Sequence, residues 1–162
     1  MFRRYALRST LALATLALLG ACASAPAFRT LADAIASDKD LSTFSQLVAQ
    51  AGMTEALKAA APHTVFAPSD AAFKAVPAKT LDSLKADKEQ LKAVLSYHIV
   101  PGAFTAADIK SGNVKTLQGA NVAVARAGTF VTVEDAMVEQ ADLRASNGVV
   151  HVVDRVLMPP KK

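Results

Sequence analysis

The chain has 162 residues, 52% of them hydrophobic, and a formal net charge of +4. The surplus is N-terminal: without Arg3, Arg4 and Arg8 the remainder holds 15 basic and 14 acidic residues, which leaves no electrostatic case for nucleic acid. Cys22 is the only cysteine, so an internal disulfide, thiolate catalysis and zinc–thiolate sites are excluded from everything that follows it.

Arg3, Arg4 and Arg8 precede an apolar run from Leu11 to Leu19 broken only by Thr15. That is the order of a secretory signal peptide, and the run is too short for a comfortable membrane span. It closes Leu19-Gly20-Ala21-Cys22, which resembles the bacterial lipobox, where the cysteine thiol takes a diacylglyceryl group before cleavage. Residues 1–21 are therefore expected to be a lipoprotein signal peptide, Cys22 the acylated (palmitate-type) first residue, and residues 22–28 a short tether. More than one acyl chain gives stable anchoring. Ala23 after the cysteine, rather than Asp, resembles sorting to the outer membrane of a Gram-negative cell.

Leu31 and Ile35, then Phe44, Leu47, Val48 and Ala51, mark apolar stripes at helical spacing, with Gly52 as a stop. Thr54 is placed to cap a short helix through Leu57, which Pro62 closes. Thr64 to Ala67 reads as a buried strand, after which Ser69 or Asp70 caps a helix that turns Phe73 and Val76 inward. Asp87 to Ser96 puts Leu91, Val94 and Leu95 on one face, with Asp87 and Gln90 spaced as a capping box. Lys74, Lys79, Lys85, Lys88 and Lys92 alternate with Asp82, Asp87 and Glu89, as on solvated helix faces. Pro101-Gly102 reads as a turn, and Thr105 is placed to cap a short helix containing Ile109.

From Asn113 the period becomes two. Val122 and Val124 alternate with small residues, Gly128 marks a turn, and Phe130 to Val133 and Met137 to Leu143 read as strands. Asn147-Gly148 suggests a type I′ turn, followed by a strand from Val149 to Leu157 with both faces apolar and therefore central to its sheet. Pro159-Pro160 ends it.

Three segments carry a family resemblance: Thr64-Val65-Phe66-Ala67-Pro68-Ser69-Asp70-Ala71-Ala72-Phe73, Tyr97-His98-Ile99-Val100, and Asn147-Gly148-Val149-Val150-His151-Val152-Val153-Asp154-Arg155-Val156-Leu157-Met158-Pro159. In this order they resemble the fasciclin domain, over residues 29–160. The resemblance implies an α+β fold with a helical N-terminal half packed on a mainly antiparallel β-sandwich or wedge. It implies a non-catalytic adhesion or binding module. Tyr97 and His98 match a pair associated with cell adhesion in some animal members, which makes them candidate partner contacts, or else the lock between helix and sheet. His151 matches the histidine of the family's last motif. No Arg-Gly-Asp tripeptide is present, so integrin recognition is not supported.

The remaining chemistry is sparse. No Gly-x-Ser-x-Gly elbow, phosphate-binding glycine loop or His-Glu-x-x-His occurs. His63, His98 and His151 lie 35 and 53 residues apart, which matches no local metal-ligand motif; a small-ligand or metal site built from all three is the alternative. No cofactor is implied. The expectation is an exported, lipid-anchored module at the outer membrane, facing the periplasm or the exterior, whose partner is a protein or glycan.

Overall fold

The computed structural model describes residues 29–160; the leader, Cys22 and the tether lie outside the described residues. Polar caps set the starts of three helices. Thr30 and Asp33 form a reciprocal capping box on α1 (Leu31–Ser37). Ser69 Oγ accepts from the Ala72 N–H at the start of α4 (Asp70–Ala75), and the Asp87 carboxylate accepts from the N–H groups of Glu89 and Gln90 on α6 (Lys88–Tyr97). Each such cap contributes about 1 kcal/mol by pairing otherwise orphaned donors. Between them lie a 3₁₀ turn (Lys39–Leu41), α2 (Ser42–Gln50), α3 (Thr54–Lys58) and α5 (Ala78–Ala86).

Among the described residues seven strands form one sheet in the order β2-β1-β7-β6-β5-β4-β3. They are β1 (His63–Pro68), β2 (Ile99–Pro101), β3 (Gly112–Lys115), β4 (Asn121–Ala127), β5 (Phe130–Val133), β6 (Ala136–Ala145) and β7 (Gly148–Val153). Only β1 and β7 pair in parallel; the other pairings are antiparallel. The long β6 slips register between Val138 and Gln140 and again between Gln140 and Leu143, and irregularities of this kind bend a strand. The bend divides the sheet into two halves, as a wedge requires.

Side-chain alternation along the central strands then builds two cores. Val65 and Ala67 of β1, Val150 and Val152 of β7 and Ile99 of β2 face the helices, where Leu31, Ile35, Phe44, Leu47, Leu91 and Leu95 meet them. Phe66, Val153 and Val100 point the other way and pack with Tyr97, Val122, Val124, Val131, Val133 and Leu157. β7 lies between these cores, so all six of its residues are buried, as its valine run predicts. Burial of a Leu, Ile, Val or Phe side chain contributes about 1.5–3 kcal/mol, and these two clusters hold most such residues in the domain.

Four local expectations need correction. Met53, not Thr54, occupies the N-cap of α3, with no side-chain hydrogen bond, because Thr54 is already the first helical residue. Thr105 does not start a helix: it exchanges hydrogen bonds with Asp108, and the Asp108 and Ile109 N–H groups return to the Thr105 carbonyl, closing one turn that does not propagate. The turn before β7 is centred on Ser146-Asn147, since Ala145 pairs with Gly148, and Asn147 has no positive φ. Finally, β7 ends at Val153, four residues early, because Asp154 turns back to bond Met137 through both backbone N–H and carboxylate.

Candidate functional site

Tyr97 and His98 are adjacent at the end of α6, and they point into different cores. Tyr97 is 2% exposed; its hydroxyl donates toward the Asn121 carbonyl at 3.0 Å and lies 3.2 Å from Glu134 Oε1. Burial, with the Glu134 carboxylate beside it, pushes the phenol up to about 12. His98 is 1% exposed. Its Nδ1 donates to the Val94 carbonyl at 2.8 Å and its Nε2 accepts from the Leu157 N–H at 3.0 Å, while the ring meets Phe44 at a tilt, centroids 6.0 Å apart. Burial pushes this imidazole down to about 4, so it is neutral at neutral pH. α6 ends where helix layer and sheet meet, and both side chains are buried there with hydrogen bonds that join the two, the geometry of the lock rather than of an exposed contact.

His151 behaves similarly. Its ring stacks on Phe66, centroids 5.6 Å apart and planes 23° from parallel. Nε2 donates to the Phe104 carbonyl at 2.9 Å, and Nδ1 accepts from the Asp142 N–H at 3.3 Å. Burial lowers its basicity against the opposing pull of the Phe104 carbonyl and Asp142. His63 Nδ1 lies 2.8 Å from the Ala61 carbonyl. A neutral imidazole coordinates a metal through its one lone pair, and in His98 and His151 that lone pair already accepts a backbone N–H. Among the described residues no group of three His, Cys, Asp or Glu side chains is placed to hold a metal ion.

Asp70 follows the cap of α4 rather than serving as one: it accepts from Ser42 Oγ and from the Thr43 N–H at the start of α2. Partial burial opposes its ionisation, but those hydrogen bonds and Lys74 outweigh it and hold the carboxyl below its ordinary range. This carboxylate ties two helix starts together and has no proton to exchange near neutrality.

Two features escape a reading of the sequence. Asn147, 8% exposed, accepts from the Leu31 N–H at 2.8 Å and donates to the carbonyls of Leu57 and Ala59 at 2.8 and 2.6 Å. Its Asn-Gly context signals a turn, whereas its work is to bind α1 and α3 to the sheet. The other is a cavity of about 290 Å³ lined by Phe66, Val100, Phe104, Ile109, Val114 and Val124, with Asp108 and Lys110 at its edge. The segment 102–111 covers it and is pinned at several points. The Phe104 N–H donates to Thr64 Oγ1, the Phe104 carbonyl accepts from His151, the Ala106 N–H donates to Asp142, and the Ala107 carbonyl accepts from Arg126 at 2.6 Å. The Phe104 ring, 38% exposed, lies so close to Gly102 that a Cβ there would fall 2.7 Å from it. The sequence signal was an aromatic two residues after a Pro-Gly turn, too common to single out.

The fasciclin-domain family profile matches residues 39–159. A Synechocystis protein, sll1483, is 43% identical over 133 residues, 81% of this chain and 74% of that one. The cell surface glycolipoprotein MPB83 of Mycobacterium bovis is 40% identical over 98 residues, 60% of this chain and 44% of that protein. Among solved structures, a FAS1 domain pair from the insect cell adhesion molecule Fasciclin I superposes with a TM-score of 0.66 at 17% identity, over 82% of this chain and 51% of the pair.

Proposed function

The chain belongs to the fasciclin domain family, and from that membership we propose that it is a non-catalytic, adhesion-type binding module presented at the bacterial envelope. The observation that carries the reading is the match over residues 39–159. The interior supports it: among the described residues no buried side-chain nitrogen or oxygen lacks a hydrogen-bond partner. His98, His151 and Asp70, the groups a catalytic scheme would need, are committed to holding elements together. The partner is a protein or a glycan, engaged through the exposed surface and not through Tyr97 and His98.

Anchoring is the second part of the proposal. Residues 1–21 direct export, Cys22 carries the lipid, residues 22–28 form a tether, and residues 29–160 are the presented domain, most simply at the outer membrane. The similar MPB83 of Mycobacterium bovis is a cell surface glycolipoprotein, which supports this arrangement. A tether of seven residues spans at most about 25 Å, so the domain stays near the bilayer, where presentation raises effective concentration and lets modest affinities add. The test has two arms. Cys22→Ala is expected to abolish acyl labelling and release the protein from the membrane fraction; membrane retention without labelling rejects the anchor. Purified non-lipidated protein is expected to bind saturably to whole cells, matrix proteins or envelope polysaccharides, and absence of retention on all three rejects the adhesion reading.

A further inference from the structure

We propose that the cavity beneath residues 102–111 is a binding site for a small aliphatic carboxylate, its alkyl chain among Phe66, Val100, Ile109, Val114 and Val124 and its carboxylate against the Lys110 ammonium. This goes beyond the adhesion reading and does not depend on it. At about 290 Å³ the space sits just below the ~300–1,000 Å³ range of ligand pockets, which suits a short or medium alkyl chain and is too small for a folded peptide, while its apolar lining leaves the hydroxyls of a sugar unpaired. Its walls are Phe, Val and Ile side chains, and cavities so lined hold water poorly and accept apolar guests.

The edge supplies the polarity of the headgroup. Asp108 is anionic, but its Oδ2 already accepts from the Thr105 N–H and hydroxyl, at 3.3 and 2.6 Å, and Arg144 adds a compensating charge. Lys110 has no acidic partner within ion-pair distance among the described residues. It lines the pocket and is exposed, as a side chain with an apolar stem and a hydrated head can be, so it is the uncommitted charge at the mouth. Arg126 is fixed on the Ala107 and Gly128 carbonyls, where it holds the covering segment. The hydrogen bonds to Thr64, His151 and Asp142 keep that segment in place without a guest, so the site is preformed, which lowers the ordering cost of binding.

Calorimetric titration of the purified protein with hexanoate, octanoate and decanoate below their micellar concentrations, beside decanol and decyltrimethylammonium, tests the assignment. One-to-one binding is expected, with affinity rising about fourfold per methylene until the cavity is full. Decanoate should bind more tightly than decanol, and the cation most weakly. Val124→Phe should remove binding by filling the space. Lys110→Glu, on the exposed edge, should weaken decanoate roughly fivefold and reverse the preference for anion over cation. Because Val124→Phe risks the core, amide shift mapping of the wild-type protein gives an independent reading: perturbations should centre on Phe66, Val100 and residues 104–110. Absence of saturable binding, shifts centred elsewhere, or a headgroup preference unmoved by Lys110→Glu overturns the proposal.

Discussion

Asn147→Ala offers a sharp test of how the helix layer is held to the sheet. The substitution deletes one acceptor and two donors, and strands the Leu31 N–H and the carbonyls of Leu57 and Ala59. Leu31 and Leu57 are buried while Ala59 is exposed, so the Ala59 carbonyl finds water and the other two groups do not. At about 1–3 kcal/mol for each of the two buried unpaired groups, the loss is about 2–6 kcal/mol, a large share of the roughly 5–15 kcal/mol that stabilises a domain. A fall in Tm of about 6 °C or more follows for a domain of this size. Urea unfolding followed by circular dichroism reads it as a lower midpoint at unchanged slope. Asn147→Asp sharpens the test: it keeps the acceptor for Leu31 but sets an anionic oxygen against two carbonyls, so at neutral pH it should destabilise more than Ala, with partial recovery once the carboxyl protonates. A loss below about 0.5 kcal/mol for Asn147→Ala, the size of an ordinary surface change, would refute the account.

Other consequences are as direct. The His98 imidazole is pushed from an ordinary 6.5 to about 4, so the unfolded chain binds that proton first; stability is full above pH 6.5 and drains as pH falls toward 4, and denaturation midpoints across this window should slope less steeply in His98→Gln. Gly148→Ala places a Cβ 1.9 Å from the His63 carbonyl oxygen, a backbone clash that must spread the β1–β7 pair, and soluble folded protein should be strongly depleted in expression trials. Tyr97→Phe removes the hydroxyl bonds to Asn121 and Glu134 but keeps the ring in the second core; a loss of about 1 kcal/mol is expected, with partner binding unchanged, and lost binding by the folded variant would restore Tyr97 to the contact surface.

The parts of the fold visible in the sequence are those fixed by local pattern. The valine run of β7 announces a strand buried on both faces, and Ser69 and Asp87 announce helix starts, because periodicity and capping act over a few residues. The parallel pairing of β1 with β7 joins segments some 85 residues apart, and nothing in either segment names the other. The candidate site shows the same division. His98 stands out as a polar residue beside Ile99 and Val100, but whether such a residue is buried or presented depends on what the Leu157 N–H does 59 residues later. Asn147 was legible as a turn residue and illegible as a hub for the same reason. The cavity is assembled from four strands and a loop, with no two neighbouring lining residues carrying a pattern of their own.

The bend in β6 has a consequence for how this molecule tolerates company. By folding the sheet it brings the outermost strands toward each other, so that the Leu117 N–H, just past β3, donates to the Ile99 carbonyl of β2 at 2.7 Å. Those two strands are three and four residues long. A sheet with short and mutually occupied margins offers little template on which a neighbouring chain could add a strand. For copies at high local concentration, that geometry suppresses edge-to-edge polymerisation and leaves side-chain surfaces as the means by which they meet.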